Sequence, residues 1–202
     1  MKKYISHKRG GLINGIDKIR RTFRTTYLDK LFYLDFYSID RFGKTKLGQL
    51  LLYAKQSQNR SLIAELIRVI KPRITSLIKE YGIDAVGYIP PTVKRDIQLM
   101  KELERQLNLP IPVISIVKIK TGIAVPQKTL TKLDDRIENA QKTIVVDDKK
   151  IFKTVMLIDD AVGSGSTLNE TAKKIKEKNL AESVLGLAIT GSVSGFEVIS
   201  EV

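Results

Sequence analysis

The chain has 202 residues, 43% apolar and 28% charged, with a formal charge of +13: enough apolar residues for a core, enough charge for a solvated surface. It has no cysteine, which excludes disulfides, zinc ribbons and thiol nucleophiles, and its one histidine, His7, argues against a His-based triad or metal centre. No apolar run reaches the length of a membrane span and the N-terminus lacks a long apolar signal core, so a soluble cytoplasmic protein is expected.

Residues 1–30 carry nine Lys or Arg against Asp17 and Asp29, a net of +7. They read as a basic arm ahead of a domain at 31–202, itself divided into an N-terminal helical part (31–82) and a core (83–202). Such an arm suits a polyanion such as single-stranded nucleic acid. It suits a solvated tail equally well, and both readings stay open.

Leu31 to Tyr37 is apolar and aromatic, fit for a strand or a buried helical turn. Residues 46–54 and 59–70 read as helices. In the second, Leu62, Ile63, Leu66, Ile67 and Ile70 share one face, and the pattern continues past Pro72 to Tyr81, with Gly82 as a stop. Residues 84–89 form a short apolar strand ending at Pro90-Pro91. A helix is predicted over 94–107, a strand over 113–117, and a polar Lys-rich stretch over 118–143 with a helix near 129–140. Residues 154–158 form a buried strand, 167–179 a helix and 183–190 a further strand. Strands alternating with helices imply a parallel sheet with right-handed crossovers, and continuously apolar strands imply helices on both faces.

In such sheets ligands bind beyond the carboxyl ends of the strands. The run Val155-Met-Leu-Ile-Asp-Asp-Ala-Val-Gly-Ser-Gly-Ser-Thr167 stands at one of these ends. Gly163 and Gly165 permit tight backbone geometry and close approach of a ligand. The loop amides and those opening the next helix can surround a phosphate, and Ser164, Ser166 and Thr167 add hydroxyls. Thr167 with Glu170 also fits a capping box. Asp159 and Asp160 can accept from vicinal hydroxyls or help hold a metal ion. A phosphate at one end and a diol at the other describe a ribose 5-phosphate. The P-loop fails for want of a Lys, and the dinucleotide fingerprint for want of its third Gly. At a second strand end, Pro90-Pro91 make a stiff turn, Thr92 offers a hydroxyl, and Lys94 and Arg95 offer cations.

The 155–167 run resembles the phosphoribosyl-diphosphate signature of type I phosphoribosyltransferases. The resemblance implies an α/β three-layer fold with a central mainly parallel sheet and a flexible hood. It implies phosphoribosyl diphosphate as ligand with Mg2+ as cofactor, and transfer of ribose 5-phosphate to a nitrogenous acceptor. Asp159, Asp160 and Arg136 take the catalytic roles, the two acids also the metal. Gly163, Ser164, Gly165, Ser166, Thr167, Pro91, Thr92, Lys94 and Gln127 bind substrate. Within the family, Pro90, Lys94, Gln98, Pro126-Gln127, Leu130, Arg136 and Asn139, with Tyr53-Ala-Lys55 upstream, resemble the ComF-like branch, over about residues 37–190. The residues at 118–142, with Lys118, Lys120, Lys128, Lys132, Arg136 and Lys142, stand where the hood would close on diphosphate. The chain departs from the pattern in lacking the zinc ribbon of many ComF-like proteins. Gly163 replaces the acid of purine-salvage relatives, which speaks against a hypoxanthine or guanine acceptor. The branch implies an alternative: a non-catalytic competence protein that handles single-stranded DNA or senses the ligand. A homodimer is compatible with the family; the acceptor is not legible.

Overall fold

In the computed structural model, which describes residues 8–9, 11–39, 42–93, 95–119 and 133–192, the apolar runs build a mixed sheet. Its parallel part comprises β3 (Lys30–Phe36), β6 (Ala85–Tyr88), β9 (Phe152–Val162) and β10 (Ala181–Gly191). The spatial order is β3, β10, β9, β6, and every neighbour pair is parallel, with Leu187 opposite Phe32 and Ile158. Two short strands, β1 (Lys8–Arg9) and β2 (Leu12–Asn14), extend the β3 edge antiparallel. A small β4 (Ser38–Ile39)–β5 (Gly43–Lys44) hairpin follows β3.

Helices cover both faces. Helix α1 (Ile16–Thr22) and helix α6 (Ser166–Glu177) pack on one, through Ile16, Ile19, Leu168, Ala172 and Ile175. Helices α2 (Lys46–Ser57), α3 (Arg60–Tyr81) and α4 (Leu99–Leu107) pack on the other, through Leu47, Leu51, Leu66, Ile70 and Leu103. The result is a mixed α/β fold of three layers around a mainly parallel sheet. Helix α2 is pinned at its start by Thr45, whose hydroxyl accepts from the Gly48 amide at 3.0 Å and donates to the Phe36 carbonyl at 2.6 Å. A Cβ on Gly48 would stand 2.1 Å from the Tyr37 carbonyl oxygen, so glycine lets the helix approach the sheet this closely. Pro72 lies within α3 on its exposed side, and the helix runs through it to the left-handed Gly82.

Four expectations are corrected. Residues 11–30 are not an arm: Ile13, Ile16, Ile19 and Leu28 are buried, because the basic residues of α1 take one side of the helix and leave an apolar stripe for the sheet. The helix expected over 94–107 begins only at Leu99, after a loop folded by the Gln98 side chain, whose Nε2 donates to the Arg95 and Val93 carbonyls. Of the strand expected over 113–117, only an isolated parallel bridge joins the main sheet, Val113 opposite Val86 with the Ile114 amide donating to the Val86 carbonyl. The chain then leaves it as β7 (Ile116–Lys118), antiparallel to β8 (Ile144–Val146), with α5 (Leu133–Thr143) before β8. Finally, Thr167 does not cap α6. Gly165 does, and the helix starts at Ser166.

Candidate active site

From β6 the chain moves outward to Val113, whereas from β9 it moves to the other side, to β10. The switch point of the sheet therefore lies between β6 and β9, where the loops after the two strands part and leave a crevice. A cleft of about 180 Å³ occupies this place. It is lined by Lys55, Pro90 to Val93, Arg95, Gln98, Arg136 and residues 159–168.

The β9 side is built by one run of sequence. Asp159 and Asp160 end the buried part of the strand, and the Asp160 amide donates to Asp159 Oδ1 at 2.8 Å. Burial and then the neighbouring Asp160 charge push the Asp159 carboxyl up, to about 8, against the opposing pull of Lys55. Asp160 is ion-paired with Lys55; the two side chains are 14% and 21% exposed. Beyond them the chain turns through Gly163 and Ser164 into left-handed Gly165 (φ +83°) and then α6. A Cβ on Gly165 would lie 2.2 Å from Ile19 Cδ1, so α1 braces the loop from behind. Asn169 adds to the brace: its side chain accepts from the Tyr27 amide at 2.9 Å and donates to the Thr25 carbonyl at 3.1 Å. The Ser164 and Ser166 hydroxyls lie 3.1 Å apart, both buried. The loop and the first residues of α6 line the cleft, and a helix N-terminus is where the helix dipole favours an anion.

The opposite side is assembled from distant segments. Lys55 reaches in from the last turn of α2, and Arg95 donates to the Lys55 carbonyl. The Ile97 amide donates to Gln58 Oε1 at 2.9 Å, a second stitch between this loop and the end of α2. Lys118 of β7 donates to the Thr92 hydroxyl at 2.9 Å; burial lowers its pKa while the field of Asp159 opposes the shift. Arg136 of α5 is 4% exposed, lines the cleft, and has its pKa lowered by burial.

Of the expected site residues, Asp159, Asp160, Arg136, Gly163 to Thr167, Pro91 and Thr92 all line this one cleft. Lys94 and Gln127 lie outside the described residues, as do Lys120, Lys128 and Lys132. Lys55 was absent from the expected site. Its signal was available: Leu47, Leu51 and Lys55 fall at helical spacing, which puts a cation on an apolar stripe. Among the described residues no cluster of three or more His, Cys, Asp or Glu is placed to hold a metal by itself, and no helix is long and apolar enough to cross a membrane.

No protein-family model and no curated protein matches this chain. Solved structures do show a likeness. The hypoxanthine phosphoribosyltransferase of Staphylococcus aureus matches 68% of this chain and 71% of its own, with 15% identity and a TM-score of 0.39. That of Trypanosoma cruzi, in complex with the product IMP, matches 68% and 72%, with 15% identity and a TM-score of 0.40. The adenine phosphoribosyltransferase of Leishmania tarentolae matches 78% and 90%, with 13% identity and a TM-score of 0.38. These likenesses are loose, and the chemistry of the cleft stands on its own residues.

Proposed function

We propose that this protein binds phosphoribosyl diphosphate and transfers its ribose 5-phosphate to a nitrogenous acceptor, as a type I phosphoribosyltransferase-like protein of the ComF-like branch. One observation carries the reading. At the switch point of the sheet, an acid pair, a small-residue loop opening a helix and three cations (Lys55, Arg95, Arg136) share one cleft, with Lys118 bonded to the Thr92 that lines it. A ligand matching that order has a monophosphate, a diol and a more highly charged phosphate group in sequence.

Each part has a task in the displacement. Residues 163–167 and the first amides of α6 hold the 5-phosphate and fix the ring. Asp159 and Asp160 accept from the ribose hydroxyls. At the anomeric carbon the bond to diphosphate breaks, its electron pair leaving with the diphosphate, and the bond to the acceptor nitrogen forms. The cations of the facing side stabilise the charge that gathers on the leaving group.

Mg2+ fits this donor set in one way. Two adjacent carboxylates, one with its proton affinity raised by burial, offer too few protein ligands for a closed site but suit an ion that is completed by substrate phosphates. Asp159 and Asp160 would hold it, and when bound it would supply charge neutralisation at the diphosphate.

Isothermal titration with phosphoribosyl diphosphate, with and without Mg2+, tests the proposal. Saturable binding strengthened by Mg2+ is expected; no heat at millimolar ligand would sink it.

A second reading draws on α1. Arg20, Arg21 and Arg24 are exposed beside the buried Ile16 and Ile19, a cationic strip suited to single-stranded nucleic acid. The triple change Arg20→Gln, Arg21→Gln, Arg24→Gln leaves the apolar stripe in place. Loss of a salt-sensitive gel shift in that variant would support this reading; absence of any shift in the wild type would remove it.

A further inference from the structure

Lys55 touches both sides of the cleft. Its ammonium is held on Asp160, 105 residues away in sequence, while its carbonyl accepts from Arg95 in the loop after β6. Gln58, one turn on, holds the same loop through the Ile97 amide. The α2 end is therefore a crossbar between the acid pair and the cationic loop. The ammonium itself is long-stemmed, partly exposed and held by a single carboxylate. Lysine is suited to exchanging partners in this way, because its donors sit on a flexible stem with no fixed fork.

We infer that Lys55 is an exchange cation: it neutralises Asp160 while the cleft is empty and passes to the ligand's diphosphate when the ribose diol takes over Asp160. This rests on the ligand proposed above and adds to it a residue outside the phosphoribosyl signature. The geometry makes the exchange local. Arg95, fixed to the Lys55 carbonyl, keeps the backbone of residue 55 in place while the side chain moves from one side of the cleft to the other. In the free protein the ammonium also blocks the carboxylate that the diol needs. Ribose 5-phosphate and diphosphate should therefore respond in opposite ways to loss of the charge, whereas a structural role would weaken both together.

The experiment uses full-length protein and two separate probes, ribose 5-phosphate and inorganic diphosphate with Mg2+, each titrated into wild type, Lys55→Gln and Lys55→Arg. In Lys55→Gln, diphosphate should bind about tenfold more weakly, the loss of one charge-assisted hydrogen bond. Ribose 5-phosphate should bind as tightly as before or more tightly. Lys55→Arg should bring diphosphate back to within about threefold of wild type, since it keeps the charge but changes its shape. Equal weakening of both probes in Lys55→Gln, or no weakening of either, overturns the exchange role while leaving the ligand proposal standing. So does a wild type that takes ribose 5-phosphate alone. A wild type that binds neither probe overturns both.

Discussion

The two sides of the cleft are built on opposite plans. The β9 side is one continuous run, residues 159–167, whose shape follows from strand, glycine turn and helix start. The facing side draws Lys55 from α2, Arg95 from the β6 loop and Arg136 from α5, with Lys118 of β7 bonded to its Thr92. A phosphate and a ring need one rigid cradle, which local sequence can supply. A leaving group that must be gripped and then released is better served by separate charges on separate elements, each free to adjust alone.

That contrast can be broken at either side. The largest effect is expected for Gly165→Ala, which combines a left-handed backbone with a methyl 2.2 Å from Ile19 Cδ1. A loss of about 3 kcal/mol in urea unfolding is expected from the two penalties together. A loss below 1 kcal/mol would mean that the cradle is not rigid. Next comes the pair Asp159→Asn with Asp160→Asn. Asn keeps the shape of the acids, so folding should persist by circular dichroism while affinity for phosphoribosyl diphosphate drops on the order of 100-fold, the loss of two hydrogen bonds to charged acceptors. Retained affinity would place the ligand elsewhere.

On the dispersed side, Arg136→Lys keeps charge and loses the fork, and about a tenfold loss in affinity is expected by the same titration. An unchanged constant would remove Arg136 from the cationic side. A pH effect of similar size belongs to Asp159. Below its ordinary value of 3.8 both folded and unfolded chains carry the proton, and its contribution to stability is complete. Up to about 8 the folded chain keeps a proton that the unfolded chain has lost, so stability falls as pH rises through that window and levels off above it. Relative to Asp159→Asn, wild type should lose on the order of 1–2 kcal/mol between pH 4.5 and 9, after allowance for solvent at a partly exposed carboxyl. A flat difference would mean an ordinary acid. The smallest effect is expected for Thr92→Val: about threefold or less in affinity, since its bond to Lys118 lies at an exposed loop. A larger loss would show that the hydroxyl itself meets the ligand.

The same contrast governs what could be read from sequence alone. The alternation of elements, the strand through Ile158 and the loop after it follow from local patterns, because burial on both faces writes itself as an apolar run. The apolar stripe of α2 marks Lys55 itself, but its contact with Asp160 spans 105 residues, and no local pattern names that partner. In residues 11–30 the charge of Arg20, Arg21 and Arg24 masked a short apolar stripe, Ile13, Ile16 and Ile19, whose partner is the far end of the chain. The departure of β7 from the main sheet was hidden for a similar reason: Ile116 to Lys118 is apolar enough for either partner, and only the presence of β8 decides.

The place of β3 in the sheet has a consequence for biosynthesis. Its parallel partner is β10, so Leu31 pairs beside Gly186 and Phe36 beside Gly191. Residues 11–36 leave the ribosome well before residues 181–191, so β3 has no parallel partner until β10 has been made. Until then Ile13, Ile16 and Leu31 are unshielded apolar groups on a nascent chain, a state prone to association. The brace of Ile19 behind Gly165 forms at the same late moment. A nascent chain halted before β10 would therefore hold Asp159, Asp160, Gly163 and Gly165 and still lack the backing that shapes them into a binding site.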